Sequence, residues 1–362
     1  MRSIVRFVVL TGAAVTVAAL LAACGGGAGP AGEPATSDGE WIAFHAEVDG
    51  NLDIYKVRAD GSGLTRLTDA EGNDGFPVWS PDGTRIAFLS ERTGNTEIFV
   101  MDADGGNLVQ ITEDEALDYG PVWSPDGTQI AFISDRNRSL SIYIASAEGG
   151  EARELTDNMG NDEVISWSPD GARLAFQSTR DGNYEIYVIN ADGSGMRRIT
   201  THLNADVQPD WSPDGTRLAF AIDLSGKDEE TGEVINIRDI YTIPVDSTEA
   251  RAETRLTQRL GTATAPVWSP DGQWIAFRAE LNGRSAVYVI PAGGGDVTRV
   301  NAEDLANKFI TWAPDSRRLA FEATTEDAGQ VIFVAAADAS DLKRLQVAGA
   351  AMIGAPSWQP KG

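Results

Sequence analysis

Cysteine is almost missing from this sequence: Cys24 stands alone and has no partner for an intramolecular disulfide. Histidine is nearly as scarce, and His45 and His202 beside one cysteine cannot assemble a Cys/His zinc site. Basic residues fall well short of acidic ones, 29 against 54, and the resulting charge of −25 repels nucleic-acid phosphate and anionic lipid alike. Nucleic acid therefore drops out as a partner class. No G-x-S-x-G elbow occurs, so a serine hydrolase would lack its usual nucleophile setting. Beyond the N-terminal segment no apolar run is long enough to span a bilayer. What is plentiful is turn chemistry, with 38 Gly and 16 Pro in 362 residues that are 42% hydrophobic. That balance is globular, too apolar for a disordered chain and too rich in turns for a helical bundle. The length exceeds one ordinary domain, which directs attention to repeats.

Arg2 and Arg6, a mostly apolar run from Phe7 to Leu20 and the small-residue stretch Leu21-Ala22-Ala23 have the plan of a secretory signal peptide. Because Cys24 follows directly, the segment resembles the lipobox of bacterial lipoproteins. The resemblance implies that residues 1–23 are a lipoprotein signal peptide and that Cys24 carries the lipid. Residues 24–38 then form a flexible tether, Gly-rich and without apolar period. The expected location is extracytoplasmic, anchored to the bacterial cell envelope, with the membrane met only through acyl chains.

The rest of the chain is one unit repeated. Trp79-Ser80-Pro81-Asp82-Gly83 recurs from Trp123, Trp167, Trp211 and Trp268, weakens to Trp312-Ala-Pro-Asp-Ser and ends as Trp358-Gln-Pro-Lys-Gly. The spacings are 44, 44, 44, 57, 44 and 46. An Ile/Leu-Ala-Phe triplet follows each of the first six tryptophans, ending at Phe88, Phe132, Phe176, Phe220, Phe277 and Phe321, and a seventh copy ends at Phe44. A period in the mid-forties with four strand-like segments predicts propeller blades. In the unit from Pro77 to Thr112, Pro77–Trp79 is expected innermost, Arg85–Leu89 second, Glu97–Met101 third and Leu108–Thr112 outermost. Phe88 and Ile86 would face one neighbouring blade and Ala87 the other.

The register also predicts closure. The fold begins with a second strand at Trp41 and ends with an innermost strand at Trp358, so each end supplies what the other lacks. The expected fold class is all-β, a seven-bladed β-propeller of four-stranded antiparallel blades over residues 39–362, closed by pairing the C-terminal strand into the first blade.

With their W-S-P-D-G, I-A-F and E-I-Y segments and Asp-Gly turns, these units resemble the TolB-type, WD-repeat-like β-propeller repeat of bacterial envelope proteins. The resemblance implies fold rather than function. The family's namesake works in envelope assembly and has six blades behind a separate N-terminal domain, whereas seven repeats and no such domain are read here. Similar propellers gate prolyl-oligopeptidase-like peptidases and form oligogalacturonate lyases, which raises the alternative of an enzyme.

Five residues before successive tryptophans stand Asp74, Asp118, Asp162, Asp206, Ala263, Asn307 and Ile353. In a propeller this position lies in the loop that enters the innermost strand, so Asp74, Asp118, Asp162, Asp206 and Asn307 are expected around one mouth of the channel. Such a ring could bind a cation, with calcium the candidate cofactor, or a basic group of a partner. Alternatively, each carboxylate pairs locally with Arg92, Arg136 or Arg180, which recur in phase. A thirteen-residue insertion around Leu224–Val234 and the acidic Glu113, Asp114 and Glu115 fall on the same face. Two scattered histidines and no attached catalytic domain argue against catalysis. The expectation is a monomeric, non-enzymatic envelope scaffold that uses an acidic face to bind an envelope protein with a basic surface. The alternative is a carbohydrate- or small-molecule-binding propeller, lyase- or hydrolase-like and calcium-dependent.

Overall fold

The structure, a computed structural model, describes residues 40–361 apart from 158, 228–233, 247–251, 259, 282–283, 302–305 and 326–328. The leader, Cys24 and the tether, like the centre of the insertion, lie outside the described residues. Every regular element among those described is a strand. The first blade is built from Ala350–Trp358, Trp41–Val48, Asn51–Arg58 and Thr65–Arg66, in order from the channel outward. The second runs Asp74–Trp79, Arg85–Ser90, Glu97–Asp102 and Val109–Gln110, and five further blades repeat this order. One parallel pairing, Arg238 with Thr262, joins the fifth blade to the sixth.

The chain ends meet as the repeat register requires. Ile42 pairs with Trp358 and Ala46 with Ile353, antiparallel, so the last strand is the innermost strand of the first blade. That strand is tied to both neighbours: the Trp79 amide donates to Ser357 Oγ at 3.3 Å, and the Trp358 amide to Thr311 Oγ1 at 3.4 Å.

Blades stack through a small-against-large contact. Phe44, Phe88, Phe132, Phe176, Phe220, Phe277 and Phe321 are all fully buried, as are the alanines preceding them. Ala87 shares a core with Phe132, Ala131 with Phe176, Ala175 with Phe220 and Ala219 with Phe277. Ala43 shares one with Phe88, and a single larger core holds Ala276 with Phe321 and Ala320 with Phe44, which completes the circuit. Because alanine has no side chain beyond Cβ, the phenyl ring of the next blade can occupy the space above it. Each buried ring is worth roughly 1.5–3 kcal/mol of transfer free energy.

Two details depart from the sequence expectation. The outer strand shortens to two residues in six blades, because a side chain, threonine in five of them and Asn301 in the sixth blade, replaces part of the ladder. Thr68, Thr112, Thr156, Thr200 and Thr257 each accept, through Oγ1, the amide of an isoleucine on the third strand at 2.9–3.0 Å. The innermost strand is longer than three residues: it starts at Asp74 and carries a bulge before the proline, so that Gly75 pairs with Leu89 but Val78 with Ala87.

The Ser-Pro-Asp-Gly turn is held by its own side chains. Ser80 Oγ donates to Asp82 Oδ1 at 2.6 Å and accepts the Arg85 amide at 2.9 Å, while Gly83 turns the chain at φ 68°.

Deleting residues 355–362 should abolish the monomeric fold, because it removes the part of the innermost strand that pairs with Ile42 and Ala43 and leaves that edge of the first blade open. Size-exclusion chromatography and thermal melting check this; a monomer with an unchanged melting temperature contradicts closure by that strand.

Candidate functional site

The aspartate ring lies at the expected end of the blades but beneath its surface. Asp74, Asp118, Asp162 and Asp206 are completely buried. Three of them are paired within their own blade. Arg92, Arg136 and Arg180 reach them through Nη2 at 2.8, 2.9 and 2.7 Å. Each of these arginines also donates through Nε to a serine, Ser90, Ser134 or Ser178, at 2.7–2.9 Å. Their guanidinium groups lie 4.9, 4.3 and 5.1 Å from the rings of Phe99, Tyr143 and Tyr187, which fixes the fork above the aromatic ladder. Burial pushes the Asp118 and Asp162 carboxyls up, opposed by hydroxyl hydrogen bonds and the arginine charge. The expectation of four carboxylates presented at the mouth is thus corrected by their depth. Asn307 pairs through its backbone with Ala323, and its side chain lies outside the described residues.

The fifth blade has Leu224 where an arginine would stand, and His202 takes over. Its Nδ1 lies 2.7 Å from Asp206 Oδ2 and its Nε2 3.2 Å from Glu253 Oε1. Both partners are acceptors, so both ring nitrogens donate and the imidazole is held as the cation. The hydrogen bond to Asp206 is the main cause of a pKa raised to about 9; burial opposes it, and the charges of Asp206 and Glu253 add to it.

A second set of buried acids, not singled out by the sequence reading, repeats further out. Asp53, Glu97, Glu185 and Asp239 are buried at the start of the third strands. Arg66, Arg198 and Arg255 pair with Asp53, Glu185 and Asp239, and Thr112 and Thr200 donate to Glu97 and Glu185 at 2.6 and 2.7 Å. Of the acidic loop, Asp114 is bound to Arg136 at 2.8 Å, while Glu113 and Glu115 are exposed.

The mouth itself is built three residues before each tryptophan. There Phe76, Gly120, Val164, Gln208, Ala265, Phe309 and Ala355 all adopt positive φ, six non-glycine residues at 42–59° and Gly120 at 63°. The left-handed residue forms the bulge of every innermost strand and turns its side chain out of the ladder. Side chains of the preceding blade hold several of these strained amides. Phe76 N donates to His45 Nδ1 at 3.3 Å, Gln208 N to Gln177 Oε1 at 2.9 Å, Ala265 N to Gln208 Oε1 at 2.8 Å and Ala355 N to Glu322 Oε2 at 3.0 Å. His45 is buried as an acceptor, and burial lowers its pKa to about 4.

Phe309 is 48% exposed and meets Phe76 edge to face at 5.6 Å, bridging the blades on either side of the first. On the opposite arc the Tyr184 hydroxyl and the Gln177 amide each donate to Glu163 at 3.2 Å. Burial and the nearby Glu163 carboxylate push the Tyr119 hydroxyl up to about 12. Val164, Met159 and the fully exposed Leu203 add apolar surface on the same face. Among the described residues no three His, Cys, Asp or Glu side chains converge as a metal site.

Fold and repeat together define a β-propeller of repeated four-stranded blades. Comparison with known proteins agrees: the model of the TolB beta propeller domain matches residues 21–119, 77–166, 158–229 and 233–362. The chain belongs to that family. A curated but uncharacterized protein of Agrobacterium fabrum is 30% identical over 89 residues, which are 25% of this chain and 29% of that protein's length. TolB from Acinetobacter baumannii superposes with a TM-score of 0.57 at 18% identity, over 89% of this chain and 83% of its own. An oligogalacturonate lyase in complex with manganese gives 0.66 at 18% identity, over 82% and 86%. At these identities the solved structures speak for the fold.

Two outcomes follow from the buried pairs. Replacing Asp162 by Asn leaves Arg180 with only the exposed Asp157 as a charge partner and should cost about 3 kcal/mol; urea denaturation with an unchanged midpoint would instead leave this carboxylate free for another role. For the histidines the signs are opposite. The His202 contribution is complete below pH 6.5 and is lost as pH rises through about 9, whereas that of His45 is complete above pH 6.5 and is lost as pH falls through about 4. In melting curves, His202→Gln should therefore flatten the decline between pH 6.5 and 9 and leave the acid side unchanged.

Proposed function

We propose that this protein is a non-enzymatic, extracytoplasmic binding scaffold, tethered through a lipid on Cys24, that receives an envelope protein at the mouth formed by the bulged inner strands. The observation that carries the reading is the contrast between uniformity and difference. Trp and Ala-Phe repeat because every blade has the same neighbours, whereas the residues three before tryptophan differ in kind under one shared backbone conformation. A position that is conformationally costly and chemically varied suits recognition better than packing. The partner would seat an apolar side chain against Phe76 and Phe309, an anchor of the type that dominates binding energy. The exposed Glu113 and Glu115 and the charge of −25 favour a basic surround on that partner.

A second reading rests on the Tyr184-Glu163-Gln177-Gln208 group, whose aromatic ring, carboxylate and amides are the groups that hold a carbohydrate hydroxyl. On that reading the protein binds a glycan or small molecule, and calcium enters only if the ligand completes its coordination.

Crosslinking in native envelopes tests the first reading. Phe309→Ser should lose a captured protein that Leu342→Ser, at an exposed outer strand, retains. If both variants capture the same set, the mouth is not the docking face, and release of sugar from a polysaccharide panel would move the assignment to the second reading.

A further inference from the structure

At the opposite end of the strands, where the Ser-Pro-Asp-Gly turns lie, neighbouring blades are joined by an arginine placed over the next blade's tryptophan. Arg85 lies 4.9 Å from the Trp123 ring, Arg173 5.0 Å from Trp211 and Arg318 5.2 Å from Trp358. The acceptors at two of these junctions are explicit. Arg85 donates to the Gly127 carbonyl at 2.7 Å and pairs with Glu148 at 2.8 Å, and Arg173 pairs with Asp246 at 2.9 Å.

Between the fifth and sixth blades the same place is open. A cleft of about 650 Å³ runs between them, lined by Trp268, Gly272, Gly293, Asp214 and Asp271. Trp268 and Gly272 are the counterparts of Trp123 and Gly127, so the aromatic face and the carbonyl of the arginine seat are kept. The resident arginine is diverted. Arg217 donates to Thr242 Oγ1 at 2.6 Å instead of lying over Trp268.

Two local differences explain the diversion. Thr242 pairs with Ala219 where other blades place Val100, Ile144, Val188, Val289 or Val334 opposite the alanine, so this blade alone among those six offers a hydroxyl there. Gly293 stands where Glu148 and Asp246 stand in the other blades, so the carboxylate that draws the arginine across is missing.

We propose that this cleft is a receptor for an arginine side chain presented by a partner polypeptide, its guanidinium stacked on Trp268 and donating to the Gly272 carbonyl. The chemistry is specified by the occupants of the matching junctions. A planar cation that forks between a ring and a carbonyl fits, and lysine, a point charge, fits less well. Asp214 and Asp271 at the rim supply the negative field, and Gly293 leaves room for an approaching main chain, since nothing lies within 4 Å of where its Cβ would be.

The test uses the full-length protein and a pair of probes, acetyl-Gly-Arg-Gly-amide and its citrulline twin, which keeps the shape and loses the charge. Calorimetry should show the arginine probe binding at least about tenfold more tightly than the citrulline probe. Thr242→Val releases Arg217 to its sibling position and Gly293→Glu draws it there, so each should weaken the arginine probe at least about tenfold, while Thr242→Ser leaves it unchanged. Equal binding of the two probes overturns the proposal, as does folded Gly293→Glu protein that binds the arginine probe like the wild type.

Discussion

Everything in this molecule rests on an alanine lying under the phenylalanine of the next blade. A flat sheet has two faces to bury, and a propeller buries both only if each blade offers a depression to one neighbour and a projection to the other. Ala87 and Phe88, adjacent in sequence and therefore on opposite faces, supply the pair in one step. Since every blade is both host and guest, the arrangement has no natural end and must run in a circle. The core that holds Ala320 together with Phe44 is where the circle is completed.

Within that frame, ionic chemistry serves cohesion more than display. The sequence carries an excess of acid, yet two repeating sets of carboxylates are buried beneath arginine, histidine or threonine. A buried carboxylate without such partners would be expensive, and the partners repeat with it for that reason. His202 illustrates the constraint from the exception: where the arginine is lost to Leu224, a cation arrives from a different loop to serve the same oxygen.

The fold was legible because blade stacking imposes one answer on every copy. Trp, Pro-Asp-Gly and Ala-Phe recur at constant phase, and the unmatched strands at Trp41 and Trp358 reveal the closing pair. The site was less legible for the converse reason. The aspartates attracted notice because they recur, and recurrence in a repeat protein reports shared neighbours, here Arg92, Arg136 and Arg180. The residues that do face the mouth are Phe76, Val164, Gln208 and Phe309, which have no common chemistry to align. Only Gly120 hints at the left-handed backbone that delivers them. A signal was present nonetheless: within the innermost strand, the positions four and three before tryptophan are where the copies disagree most freely.

The strand that completes the first blade is the last of the ring to be made. While the chain emerges from the ribosome, the blade begun by Trp41–Val48 waits with an open edge until Ala350–Trp358 has been synthesised. No closed ring can exist before then, however well the middle blades have assembled, so synthesis of nearly the whole propeller precedes its final locking. Until then the ring is an incomplete arc in which the inner edge of Trp41–Val48 is unpaired.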